Sequence, residues 1–463
     1  MKATHVALAP THAALEAGRP ALTPELLAAT GARYSRSNEG LEAILSRVDP
    51  ENPEASVGSI FRFVDYGHAS VADMAPLAIF MDGVSILLAA LIWNLCPTAG
   101  GQESSTRYIN YAWARAQDAR ALGVPQVLEA EWQGAIQSSF RAYERALQAW
   151  GEVGERFPER TRIPRSLLDD PSKEKAVARM RRNFAFDRAR VFLPVSAPTN
   201  MMLVMSARAW AALCAGLSSM PLPEAHALAE LIRAELPLAA PHLVKHAGAK
   251  ESLVAGWNDE FARWQELAQA PCKYLQLGSE AWSAPPTADL QVLETPGLEA
   301  ARDLAFHDNR YGWVGAGLRR TMVRFSWAAV GFAEVRDLNR HRTGTKWWPP
   351  VPVGFYDARD QWPAQMEDAV CEDARAVGAA LSARARALLA EGNWAGLYFL
   401  PLGAQFSFEH STTADKFLYE AELRTGIGAH YRYAQHLHDA LSLWFERFPE
   451  TRGLVLEGMA EPE

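Results

Sequence analysis

Two stretches of this chain carry residue types suited to holding an anionic ring compound. The first is Asn339-Arg340-His341-Arg342-Thr343-Gly344-Thr345-Lys346-Trp347-Trp348. Its arginines can grip phosphate oxygens through paired, charge-assisted hydrogen bonds. Its two tryptophans can stack on a flat ring. A basic triplet also suits a plain helix C-terminus, where cations meet the negative end of the macrodipole. The second stretch lies far upstream. Gln102-Glu103-Ser104-Ser105-Thr106-Arg107-Tyr108 offers a carboxylate, hydroxyls and a further arginine. Glu409-His410 and the group His430, His436 and His438 lack tight metal spacing, so they are expected as helix-surface histidines and no metal site is assigned.

These residues need elements to position them. A strand over 75–82 and a buried helix over 84–95 should deliver the loop 96–101, rich in Pro and Gly, and then Glu103 to Tyr108. Strand character over 311–327 and a helical run to Leu338 should deliver Arg340 in the same way. Residues 125–155 read as a long amphipathic helix, with Val127, Leu128, Trp132, Ile136, Phe140 and Trp150 near helical spacing. Residues 173–190 read as a basic helix with a solvated face. Residues 284–296 are Pro-rich and polar, the best linker in the chain.

Composition narrows the function classes. A chain of 463 residues is comfortable as two domains. Its net charge of −8 argues against bulk attraction to nucleic acid, so an anion site must come from a local arginine cluster. The 4 cysteines include no CxxC pair, which argues against a zinc site and a disulfide framework. The longest apolar run, 84–95, is short of the roughly 20 residues a membrane helix needs. The N-terminus lacks the apolar core of a signal peptide. No membrane or nucleic-acid partner is expected, and a reducing cytoplasm is the default.

The chain also resembles itself. Phe192-Leu193-Pro194 and Phe399-Leu400-Pro401 anchor two similar segments, each followed by helical runs that close at Leu217 and Arg424. In this register Asn94-Leu95-Cys96 stands where Arg340-His341-Arg342 stands. Two diverged copies are expected, over 1–283 and 297–463, joined by the linker.

The motifs resemble the flavin-dependent thymidylate synthase family. The family signature runs Arg-His-Arg, a short loop, then Asn-Glu-x-Ser-x-Arg-Tyr, with a Gly-His before it and an Ala-Arg-x-x-Leu-Pro segment after it. Copy 1 is similar at Gly67-His68, at Glu103-x-Ser105-x-Arg107-Tyr108, at Ala189-Arg190-Val191-Phe192-Leu193-Pro194 and at Ala207-Arg208. It lacks Arg-His-Arg and has Leu217 in place of the later arginine. Copy 2 keeps Arg340-His341-Arg342 and Arg424. It has Leu397 and Asp415 where copy 1 has Arg190 and Arg208, and it lacks Glu-x-Ser-x-Arg. Neither copy holds the whole signature, and their losses are complementary.

What the resemblance implies is an α+β fold of two tandem thymidylate-synthase-complementing-like units, helix-rich with antiparallel sheet. The implied reaction is methylation of dUMP to dTMP, using methylenetetrahydrofolate and NADPH with FAD as cofactor. Arg424 would be the catalytic residue that polarises the pyrimidine. Glu103, Ser105, Arg107, Arg190 and Arg340 would bind the nucleotide. His68, Arg208, Arg340, His341 and Arg342 would bind the flavin. Copy 2 would meet copy 1, within or between chains, to build one composite site per chain, and a homodimer would act as a pseudo-tetramer. The departures leave two other readings open: an FAD enzyme acting on another nucleotide or small molecule, and a non-catalytic nucleotide- or flavin-binding relative.

Overall fold

The computed structural model describes every residue except 50–51, 66–68, 112–116, 277–281, 368, 427 and 459–463. His68 and the Gly67 before it therefore lie outside the described residues. The fold is α+β, helix-rich, with antiparallel sheets. By contacts the chain divides into two compact units. The first comprises residues 1–104, 121–123 and 198–262; the second comprises 105–120, 124–197 and 263–463. This partition differs from the expected repeat boundary. The segments 105–120 and 124–197, the second of which holds Leu193-Pro194, pack with the C-terminal part of the chain.

In the first unit a four-stranded sheet runs β1 (Lys2–Val6), β2 (Pro76–Ser85), β4 (Pro198–Ser206) and β3 (Gly100–Glu103), every pair antiparallel. β2 leads directly into the helix Ile86–Leu95, whose first turn is capped by Ser85: its hydroxyl accepts the Leu88 N–H at 3.0 Å. β4 leads into the helix Ala207–Ser219, and Pro223–Glu235 follows.

In the second unit β5 (Ala288–Leu293), β6 (Met322–Gly331), β9 (Ala404–Thr413) and β7 (Thr345–Trp347) form the path of a second antiparallel sheet, and β8 (Gly354–Phe355) also pairs with β9. Alternation explains β6: Val323, Phe325 and Trp327 point into the core, and the residues between them do not. Residues 288–293, within the stretch expected as a linker, are β5, because their alternating side chains pair with the edge of β6. β6 leads into the helix Phe332–Leu338. β9 leads into Ala414–Thr425, and Tyr431–Arg447 follows. Strand order and helix succession thus run in parallel in the two sheets. So does a register shift, between Met81 and Val84 in β2 and between Trp327 and Val330 in β6.

The helix Gln126–Arg156 buries Trp132, Ile136, Phe140, Tyr143 and Trp150 as the periodicity requires, while Val127 is exposed in its first turn. It packs against Glu174–Ala189 and Ala369–Ala390. The two Phe-Leu-Pro segments meet each other inside this unit. Val195 N–H donates to the Leu400 carbonyl at 2.8 Å, and Leu402 N–H to the Leu193 carbonyl at 2.7 Å. Between them Pro194 and Pro401 form an antiparallel bridge. No helix among the described residues is long and apolar enough to cross a membrane.

Candidate functional site

The Arg340 stretch follows the short helix Phe332–Leu338. That helix starts where Glu334 accepts the Gly331 N–H at 2.8 Å, and it tightens at its end with Arg340 N–H on the Asp337 carbonyl at 3.2 Å. Arg340, His341, Arg342 and Thr343 then form one wall of a cavity of about 770 Å³. The helix Ala414–Thr425 supplies a second wall. Its Asp415, Tyr419 and Leu423, each four residues apart, share one face with Lys416 and Arg424. Loop residues Arg310, Tyr311 and Trp313, together with Arg319 of the helix Ala316–Arg320, complete it. Trp313 is 60% exposed with the Arg319 guanidinium 4.8 Å from its ring, and Tyr311 lies 6.1 Å from Tyr419, centroid to centroid.

The cavity is strongly cationic. Arg310, Arg319, Arg340, Arg342, Lys416 and Arg424 line it, and Asp415 is the carboxylate among the lining residues. His307, also on the lining, is held at 2.9 Å by the buried Glu422 carboxylate. His341 is 7% exposed, and burial pushes its imidazole down to about 4, so it is neutral at physiological pH. Its Nε2 accepts the Arg424 Nε–H at 2.9 Å. Behind it Glu420 and His410 form a buried pair at 3.1 Å. Burial opposes ionisation of Glu420, but the hydrogen bond from His410 and the charge of Lys346 outweigh it and hold the carboxyl below its ordinary range. Lys346 donates to the His341 carbonyl, and burial lowers its ammonium pKa.

A layer of buried ion pairs lies beneath Arg340. Arg107 makes a two-pronged contact with Asp187, at 2.7 and 2.9 Å, and its Nη1 donates to the Gly428 carbonyl at 2.9 Å. Arg190, 1% exposed, donates to Asp337 at 2.8 Å and to the Thr106 hydroxyl at 3.3 Å. Asp337 in turn sits 3.4 Å from Arg340. Burial alone would raise the Asp337 carboxyl, yet Arg190 and Arg340 hold it well below the carboxylate range. Asp187 is lowered against the same burial by Arg107, which both pairs and hydrogen-bonds with it. His430 donates from Nε2 to the Asp187 carbonyl oxygen at 3.2 Å, and burial keeps it neutral, down to about 3.

The second unit therefore gathers Ser105, Arg107, Arg190, Arg340, His341, Arg342 and Arg424. The early arginines are not open to a ligand. Arg107 and Arg190, expected to hold a phosphate, are sequestered with carboxylates, because an unpaired buried guanidinium would be far costlier. The Ser105 hydroxyl accepts the Arg107 backbone N–H at 3.2 Å. Glu103 and Arg208 belong to the first unit. Glu103 accepts the Trp93 indole N–H at 3.0 Å, and Arg208 pairs with Asp73 at 2.9 Å on an exposed face. Trp347 and Trp348 line no part of the cavity. Trp348 is buried edge-on against Phe332, and the aromatic faces at the rim come from Tyr311 and Trp313 instead. His410, His430 and His436 are fully buried rather than on helix surfaces, and the end of the basic helix is buried at Arg188 and Arg190.

Sequence reasoning missed Asp187, Asp337, Arg310, Arg319 and Lys416. The two aspartates were discoverable: each stands three residues before an arginine, in Asp187-x-x-Arg190 and Asp337-x-x-Arg340. The loop cations carry no such local signal.

Comparison with known proteins bears on the N-terminal half. Residues 21–242 match the family model described as thymidylate synthase complementing protein. No curated protein matches the chain. Among solved structures, one similar chain is the UMP/dUMP methylase PolB from Streptomyces cacaoi bound with 5-Br dUMP. It is 19% identical with a TM-score of 0.28, over 48% of this chain and 89% of that one, a slight likeness. The matched stretch, residues 21–242, spans just under half of the chain, and over it the chain is similar to that family.

Proposed function

We propose that this chain is a flavin-dependent, thymidylate synthase-like methyltransferase, carrying a methylene from methylenetetrahydrofolate to dUMP with NADPH reducing FAD. The observation that carries the reading is the cavity around Arg340 and Arg424, cationic on its walls and aromatic at its rim. Its volume of about 770 Å³ is ordinary for a small-molecule site. A flavin dinucleotide needs cations for its diphosphate and a flat face for its ring. Arg310, Arg319, Arg340, Arg342 and Lys416 meet the first need, and Tyr311 and Trp313 meet the second. When bound, reduced flavin supplies the hydride that completes a methyl group.

The protein's own part is binding and orientation. Arg424 faces the pyrimidine and favours its N3-deprotonated form, since a cation lowers the pKa of a nearby acid. Arg340 and Arg342 take phosphate oxygens from the nucleotide or the flavin. Arg107 holds Asp187, and Arg190 holds Asp337, through which it fixes Arg340. Roles for Glu103 and Ser105 with the nucleotide, and for His68 and Arg208 with the flavin, rest on the family resemblance alone. The two halves are read as diverged copies. The parallel strand order of the two sheets and the antiparallel meeting of the two Phe-Leu-Pro segments support this. Such a contact inside one chain imitates a two-fold interface, and two chains would then make a pseudo-tetramer.

The test is to incubate purified protein with FAD, dUMP, methylenetetrahydrofolate and NADPH. Flavin absorbance and dTMP formation are then followed, alongside rescue of a thymidine auxotroph. Protein that takes up no FAD and forms no dTMP sinks the proposal. The rewritten loop 343–348, where Lys346 is spent on the His341 carbonyl, favours a second reading: the same cofactor chemistry on a different nucleotide. Flavin uptake with product from another pyrimidine nucleotide, and none from dUMP, selects it.

A further inference from the structure

The contact between His341 and Arg424 has a chemistry of its own. Arg424 lines the cavity, and its Nε–H is given to His341 Nε2 at 2.9 Å. That bond uses one edge of the guanidinium. Among the described residues neither Nη group of Arg424 has a hydrogen-bond partner, so the outer fork is left for the cavity. An accepting Nε2 puts the ring proton on Nδ1. Several other arginines in this unit are fixed by carboxylates: Arg107 by Asp187, Arg190 by Asp337, Arg375 by Asp357, Arg384 by Glu131. Each of those partners cancels the charge it orients. Glu420, one turn before Arg424 on the same helix, is within 3.1 Å of His410. Arg424 is thus held by an acceptor that carries no charge.

We propose that His341 is a positioning residue: by accepting the Nε–H with a neutral imidazole, it aims the Arg424 fork into the cavity while leaving the guanidinium charge uncompensated for a ring oxygen that gains negative charge. The ligand class is a cyclic imide, as in a uracil ring, which becomes anionic between its two carbonyls when its N–H is lost. Naming that class rests on the proposed function above; the pairing of His341 with Arg424 does not. A carboxylate at position 341 would aim the fork equally well and blunt its field. A neutral acceptor does the first without the second.

Three variants separate the possibilities. His341→Gln offers a neutral carbonyl oxygen that can accept the same N–H. His341→Leu fills the space with no acceptor. His341→Glu accepts but adds a negative charge. Binding of dUMP to the FAD-loaded protein is measured by calorimetry, and the urea midpoint of each variant checks the fold. The expected result is that Gln stays within about threefold of wild type, while Leu and Glu each weaken dUMP binding about tenfold or more. Leucine binding as well as wild type, or glutamine as weak as leucine, overturns the proposal. Nitrogen-15 NMR of histidine-labelled protein, with the His341 signal identified by its loss in His341→Gln, reads the pairing without substrate. An unprotonated Nε2 at neutral pH supports it, and a protonated Nε2 overturns it. Wild type that shows this signal but binds no dUMP retires the uracil assignment and the functional reading, while the pairing stands.

Discussion

Replacing Asp337 by leucine removes the carboxylate that Arg190 and Arg340 share. Asp337 is 3% exposed and Arg190 1%, so Arg190 would be left charged, buried and without its counter-ion. Breaking a buried pair from one side costs about 3–5 kcal/mol. The Arg340 contact adds little, because that side chain is 48% exposed and its 3.4 Å contact is screened by solvent. The Thr106 hydroxyl, 3.3 Å from Arg190, cannot replace a carboxylate. Removing both charges, as Arg190→Met with Asp337→Leu, leaves no orphaned ion, so the double variant should lie within about 2 kcal/mol of wild type. The assay is urea unfolding followed by tryptophan fluorescence, analysed as a double-mutant cycle. The expected coupling is about 2–4 kcal/mol, with the single variants worse than the double. A single Asp337→Leu that costs under about 1 kcal/mol, or costs that simply add, would refute the view of Asp337 as the counter-ion that fixes Arg190.

Stability should also fall in mild acid. His341 and His430 are held neutral, at about 4 and about 3, by burial. In the unfolded chain both return to about 6.5, so the unfolded state binds more protons between those values, and stability is complete only above about pH 6.5. Asp337 and Glu420, both lowered, lose their contribution as pH drops below about 4. A urea midpoint that stays level from pH 7.5 to 4.5 would contradict these buried neutral imidazoles. Gly344→Ala should cost about 1–3 kcal/mol, because Gly344 sits at φ +70° and an added methyl would run into the Ser411 carbonyl oxygen across β7 and β9. Gly134→Ala, on an open helix surface, should instead gain about 0.5–1 kcal/mol, and thermal melts compare the two. Trp313→Ala should weaken FAD binding about fivefold to tenfold by loss of a stacking face, without moving the urea midpoint; unchanged flavin affinity would remove Trp313 from the site.

Much of the architecture was legible before the structure. The helix at 126–156 follows from apolar residues at helical spacing, and part of β6 from alternation up to Trp327, although the strand expected over 311–327 begins only at Met322, after a loop and the helix Ala316–Arg320. The parallel order of elements in the two halves was readable from the recurring Phe-Leu-Pro segments, as was the placement of Arg340 to Arg342 just past a helix end. These are properties of near neighbours, and periodicity records them. The strand at 288–293 was hidden because its Pro-rich flank and alternating polar residues read as linker. An edge strand needs only one face to be apolar, and its partner β6 lies further along the chain.

What only the tertiary structure decided was which charges meet. Arg107 finds Asp187 across 80 residues, and Arg190 finds Asp337 across 147. No spacing rule reaches that far. A buried arginine and an exposed one look alike in sequence, yet burial turns Arg107 and Arg190 into counter-ions and leaves Arg340 and Arg424 facing the cavity. The sequence alone determined that a basic triplet, Arg340-His341-Arg342, stands just past a helical run. Burial, through the cost of an unpaired charge and the loss of water around His341, decided that Arg107 and Arg190 hold the scaffold while Arg340 and Arg424 line the cavity.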